Sequence, residues 1–200
     1  MLKSVRELEK LRVVWKDGVT GGRIKDIYFD DQNWEVKNLV VSLEPKRFGT
    51  KEVLLLPGQV RLNGVGAFPD LAAEAVCTLP LVGSVLPVCR QYASLAFNSP
   101  GASRLVTGDP HLRSARAVAN YRLNVCGEEC GGTLEDFIFD SESWEIRYLA
   151  VEQSIEDRKV NFHILPQSVE RFTWATQRVL LRDLQPVELA AEERVASVAA

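Results

Sequence analysis

The chain is poor in the residues that most catalytic and metal sites require. Two hundred residues include two histidines, four cysteines and one methionine, and lysine plus arginine are outnumbered 24 to 27 by aspartate plus glutamate. A net charge of -3 and a pI near 5.5 exclude a phosphate-tracking surface, which needs a clustered basic excess, so nucleic acid is not an expected partner. No apolar run approaches the roughly 18–20 residues of a membrane span, and no basic segment followed by an apolar one opens the chain. The longest candidate, residues 75–89, is broken by two prolines and a glycine. The expected location is therefore the cytoplasm, with no integral membrane segment.

The same poverty argues against catalysis. There is no Ser-His-Asp ordering, no glycine-rich phosphate loop and no acid pair spaced for proton transfer, so neither enzymatic activity nor a cofactor is expected. His111 falls in a linker, and His163 falls in a strand at a position matched by a leucine, where a half-buried neutral imidazole is expected. Of the cysteines only Cys126 and Cys130, in "CGEEC", lie close together. Cys77 and Cys89 do not supply the second short-spaced pair of a structural zinc site. Free thiols, a disulfide across a hairpin tip and a metal site remain open, with Cys126 and Cys130 the candidate redox pair.

What the chain does have is a duplication. "IYFDDQNWEVKNLVV" at 27–41 returns as "FIFDSESWEIRYLAV" at 137–151, and the register holds without a gap from Leu2 against Leu112 to Ser42 against Glu152. After residue 42 one deletion restores it. The expected organisation is a first repeat over 1–79, a partly helical linker over 80–110, a second repeat over 111–186 and a tail over 187–200. Each repeat is long enough for a small β-barrel.

Within a repeat the patterns read as strands. "LRVVWK" and "GRIKDIYF" flank an Asp/Gly turn, giving a hairpin. "WEVKNLVVSL" alternates and then turns apolar on both sides at Leu39, Val40 and Val41, marking passage into an interior. The later strands are expected at "KEVLLL", "QVRLNG" and "AEAVCTL", and in the second repeat at "VNFHIL", "VERFTW" and "QRVLLRD". Ser4 and Glu7 form a capping box for a short helix. Helical stretches are also expected near Arg90–Phe97 and, weakly, in the C-terminal tail.

The sharpest constellation is Arg6, Asp26, Asp30 and Trp34, repeated as Arg116, Asp136, Asp140 and Trp144. Asp26 is expected on the strand face of Ile24 and Tyr28, with Arg6 as the cation that offsets its desolvation, and Asp30 holding the next turn. A set that occurs twice reads as structural. Trp15, Trp34, Trp144 and Trp174 are the candidate partner-contact residues, the tryptophans at 34 and 144 also serving to cap a barrel end.

A strand opening Gly-Gly, continuing through Asp, Phe and Asp, and followed four residues on by Trp and "WEIRYLAV", resembles the PRC-barrel family. That family is known from the cytoplasmic part of the photosynthetic reaction centre H subunit and from a ribosome maturation factor. The resemblance spans 2–79 and 112–183 and implies an all-β protein of two tandem PRC-type barrels with short helices. The carboxylates that help to deliver protons in the H subunit have no counterpart here beyond Glu152, so proton delivery is not implied. The expected function is a non-enzymatic adaptor or scaffold whose strand edges bind a protein, a second copy of itself included. The alternative is a small-ligand or thiol redox sensor.

Overall fold

The computed structural model of the chain describes residues 1–91, 108–155 and 158–188. It is mostly β, with helices of only one or two turns among the described residues. The helical stretch expected over Arg90–Phe97 lies largely outside the described residues, as does the C-terminal helix. No helix among those described is long and apolar enough to cross a membrane.

The chain forms two compact units, Glu7–Ser114 and a second made of Met1–Arg6 together with the segment from Ala115 onward. In the first unit, strands β2 (Arg12–Val14), β3 (Thr20–Asp30), β4 (Val36–Leu43), β5 (Glu52–Leu55), β6 (Val60–Leu62) and β7 (Gly66–Pro69) lie in the order β5-β4-β3-β2-β7-β6. The seventh strand, β8 (Leu112–Ser114), comes from the start of the second repeat and pairs with the end of β3.

The second unit repeats this plan with β9 (Arg122–Val125), β10 (Glu128–Asp140), β11 (Ile146–Ile155), β12 (Arg158–Ile164), β13 (Val169–Thr173) and β14 (Arg178–Leu181), in the order β12-β11-β10-β9-β14-β13. Its seventh strand is β1 (Leu2–Ser4), paired with the end of β10. The two repeats thus exchange their first strands. Domain boundaries drawn along the sequence put residues 1–6 with the first repeat, whereas their hydrogen bonds go to the second.

The exchange is symmetric to the residue. Leu2, Lys3 and Ser4 face Asp140, Phe139 and Ile138, while Leu112, Arg113 and Ser114 face Asp30, Phe29 and Tyr28. Each long strand has room for the guest because its other neighbour on that edge, β2 or β9, covers only its opening half.

A bulge shared by both repeats decides which side chains go inside. Ile24 pairs with Val41 but Asp26 with Val40, so Lys25 is the extra residue. Glu135 occupies the same place in β10. Because Val40 and Val41 point to opposite faces, Ile24 and Asp26 do as well. Asp26 therefore shares a face with Tyr28 and not with Ile24, which corrects the simple alternation. Ile24, Ile27, Phe29, Leu39 and Val41, at most 2% exposed, line one face. The other face carries a smaller core of Tyr28, Val40, Leu54, Val82 and Leu112, so β8 contributes to it.

The sixth strand of the first repeat is a second correction. "AEAVCTL" is not a strand: Ala73–Thr78 is a 3-10 helix, and the strand is Gly66–Pro69. Asn63 builds the hairpin before it, its side chain accepting the N–H groups of Val65 and Gly66 at 2.9 Å each. An Asn-Gly pair between apolar residues is a hairpin signal legible in the sequence.

Candidate functional site

The repeated constellation proves to be the clasp of the strand exchange. In the first unit Asp26, 8% exposed, accepts the Ile27 N–H at 2.8 Å and the Ser114 hydroxyl of β8 at 2.6 Å. In the second unit Asp136 accepts the Phe137 N–H at 2.8 Å and the Arg6 backbone N–H at 3.3 Å, with the Ser4 hydroxyl of β1 as a further donor. Arg6 is thus not the cation beside Asp26. Its guanidinium reaches Glu135 at 2.5 Å, next to the aspartate of the other repeat. Arg116 is exposed on the helical turn Ala115–Val118 that follows β8. The first unit adds a further clamp on β8, where Asp31 holds His111 Nδ1 at 2.9 Å and Arg113 Nε at 2.5 Å.

Burial pushes the Asp136 carboxyl above the usual carboxylate range, against the pull of Phe137, Ser4 and Arg6. A carboxyl whose folded pKa exceeds its unfolded value loses stability as pH rises through that folded pKa, and the cost vanishes below the unfolded one. Asp136→Asn keeps an acceptor oxygen but cannot ionise. Its stability relative to the parent is expected to improve between about pH 4 and pH 7. Urea unfolding across that range checks this, and a pH-independent difference would contradict it.

Asp30 and Asp140 hold turns, as expected. Asp30 accepts the Gln32 N–H at 2.8 Å and Asp140 the Glu142 N–H at 2.9 Å. These turns deliver Trp34 and Trp144 at positive φ, 60° and 59°, onto Phe29 and Phe139, with ring centroids 5.9 and 5.3 Å apart and nearly parallel planes. Both indoles are buried, at 9% and 6% exposure, and Trp15 is at 1%. None of these three offers a contact surface. Trp15 lies edge-on to Phe48 beside Gly21, where an added Cβ would overlap the Phe48 ring and sit 2.6 Å from the Trp15 Nε1. Of the four tryptophans only Trp174 is half-buried.

All four cysteines are free thiols. Cys126, at φ 51°, and Gly127, at φ 95°, form the tip of the β9–β10 hairpin, and Cys130 lies on β10 beyond it. The Sγ atoms of Cys126 and Cys130 turn to different carbonyls, those of Arg182 and Leu123. Among the described residues no cluster of His, Cys, Asp or Glu could hold a metal ion. Burial lowers the pKa of His163, in keeping with the neutral imidazole expected there.

The units differ at one sheet edge. In the first, β5 is short, and its outer side is covered by the following chain, with the Leu54 N–H donating to the Pro80 carbonyl at 2.8 Å and Val53 bridged to Leu81. In the second, Val187 makes the corresponding contact at His163, but β12 runs on through Arg158–Phe162 in a hairpin with β11. Among the described residues nothing pairs with the outer side of that extension. Ile155 and Val160 lie there 48% and 40% exposed. Both fall on the face that carries Leu149, Val151 and Ile164 in the core. The first repeat puts the helical turn Pro45–Phe48 where this hairpin extends, and Phe48 packs on Trp15.

Sequence patterns did not single out these residues. The available signal was the single place where the two copies lose register, just after Ser42 and Glu152. No protein-family model matches the chain, and no curated protein is significantly similar to it.

Proposed function

We propose that this chain is a non-enzymatic adaptor of the cytoplasm, built of two PRC-type barrels akin to the cytoplasmic domain of the reaction centre H subunit, and that it binds a protein partner by strand addition along β12. The barrel reading is supported by the sheet ends. β5 and β6 are the two edge strands of their sheet yet are joined by a single 3-10 turn, Pro57–Gln59, and Pro166–Ser168 does the same for β12 and β13.

The observation that carries the function is the edge of Arg158–Phe162, unpaired among the described residues, beside exposed Ile155 and Val160. An unpaired edge with apolar side chains is what an incoming strand extends: backbone hydrogen bonds give affinity and alternate side chains give selectivity. The matching edge of the first unit, at β5, is already covered by Pro80 and Leu81, so β12 and not β5 is the docking strand proposed.

The His163 carbonyl points away from β11 because it accepts the Val187 N–H. By strand alternation the N–H groups of Asn161 and Lys159 point outward as well. Asn161→Pro therefore removes a donor from the open side and leaves the β11–β12 ladder intact. Affinity capture from host cytosol with parent and variant is the test, alongside thermal melting. A partner retained by the parent and reduced at least about tenfold by Asn161→Pro, at unchanged melting temperature, is expected. Equal recovery by both, or no partner for either, would overturn the proposal.

A further inference from the structure

The backbone parity and side-chain order of β12 point to a specific occupant of its edge, and we infer that it is β12 of a second copy of this chain, antiparallel and centred on Val160. This inference rests on the strand-addition reading above and names its partner.

Two antiparallel strands add to each other only if residues with outward backbone groups face each other. On β12 those are Lys159, Asn161 and His163. A two-fold axis then has five places to fall, from Lys159 to His163, and those on Phe162 and His163 engage His163, whose carbonyl is taken by Val187. Centred on Lys159, it would set two lysines directly opposite each other, a like-charge pair that repels. Centred on Asn161, it would need His163, whose carbonyl is taken by Val187. Centred on Val160, it places Lys159 against the partner's Asn161 and Asn161 against the partner's Lys159, two pairs that each exchange both backbone hydrogen bonds.

The side chains agree with this register. Val160 meets its own copy in the non-hydrogen-bonded position, where side chains approach closest, which covers the most exposed apolar residue of the strand. Arg158 falls beside the partner's Phe162 on that face, with Ile155 next to Arg158 across the hairpin. On the opposite face the partner's Lys159 comes beside Asn161, itself paired with Glu152. Glu152 already holds its own Lys159 at 2.7 Å, so opposite charges alternate across the seam. A closed two-fold contact of this kind uses one patch twice and so cannot itself propagate along the β12 edge into a fibre.

Sedimentation velocity on the full chain over a wide concentration range tests this. The parent is expected to move from monomer to dimer as concentration rises, and Asn161→Pro to stay monomeric with an unchanged melting temperature. Val160→Lys and Val160→Glu are each expected to weaken association at least about tenfold by placing like charges face to face, while an equimolar mixture of the two restores it. A parent that is monomeric throughout, or a mixture no tighter than either variant alone, would overturn the self-pairing. If the parent is monomeric and Asn161→Pro still loses a captured partner, self-pairing fails and the strand-addition reading stands.

Discussion

Lys3→Pro is expected to loosen the sheet of the second repeat and to leave that of the first untouched. The Ser141 N–H donates to the Met1 carbonyl at 3.0 Å, so by antiparallel alternation Lys3 and Phe139 form the next hydrogen-bonded pair. Proline at Lys3 removes that donor and leaves the Phe139 carbonyl without its bond, at a cost of about 1–3 kcal/mol. Amide exchange should accelerate at Ile138–Asp140 and stay unchanged at Tyr28–Asp30. Arg113→Pro is the mirror experiment, since the Asp31 N–H donates to the His111 carbonyl and the same alternation makes Arg113 and Phe29 a bonded pair. It should accelerate exchange at Tyr28–Asp30, and by more, because the Asp31 clamp on Arg113 Nε is lost with it. Acceleration confined to each proline's own repeat would show that the strands are not exchanged in solution.

The second large effect is expected at the stacked tryptophans. Trp144→Ala removes a buried indole from the Phe139 ring and should cost about 3–5 kcal/mol, with Trp34→Ala close behind. Because Trp144 sits at φ 59°, a left-handed conformation that alanine adopts with strain, Trp144→Gly should be less damaging than Trp144→Ala, by about 1 kcal/mol. That order reverses the usual penalty for glycine in ordered structure. Urea unfolding of the three variants decides it. An alanine variant more stable than the glycine one would mean that the backbone at Trp144 relaxes out of this conformation. The folded fraction of each should keep the β12 contact, since neither indole reaches the surface.

Much of this protein was legible before any coordinates. The duplication set most of the strand list, Gly66–Pro69 and the exchanged strands Leu2–Ser4 and Leu112–Ser114 excepted, the Asp30 and Asp140 turns follow from short carboxylate side chains that reach nearby amides, and the apolar run at Leu39–Val41 marked burial on both faces. Those features are local, and a few consecutive residues carry the whole signal. The Asn63–Gly64 hairpin was equally local, and the apolar composition of 73–79 obscured it.

Other features were settled only in three dimensions. "LKS" and "LRS" are near-synonyms facing near-synonymous strands, so sequence preference is almost the same for either pairing; the exchange is a choice between distant partners that local chemistry does not rank. The face taken by Asp26 depends on a bulge at Lys25, and a one-residue insertion inverts every side chain after it without changing the composition of the strand. Among the described residues the β12 edge is open because the chain after it touches it only at Val187, whereas the chain after β5 covers its neighbour through Pro80 and Leu81. An edge is defined by what does not pair with it, which no stretch of the strand's own sequence encodes. Tertiary structure decides it because coverage depends on where distant chain comes to lie.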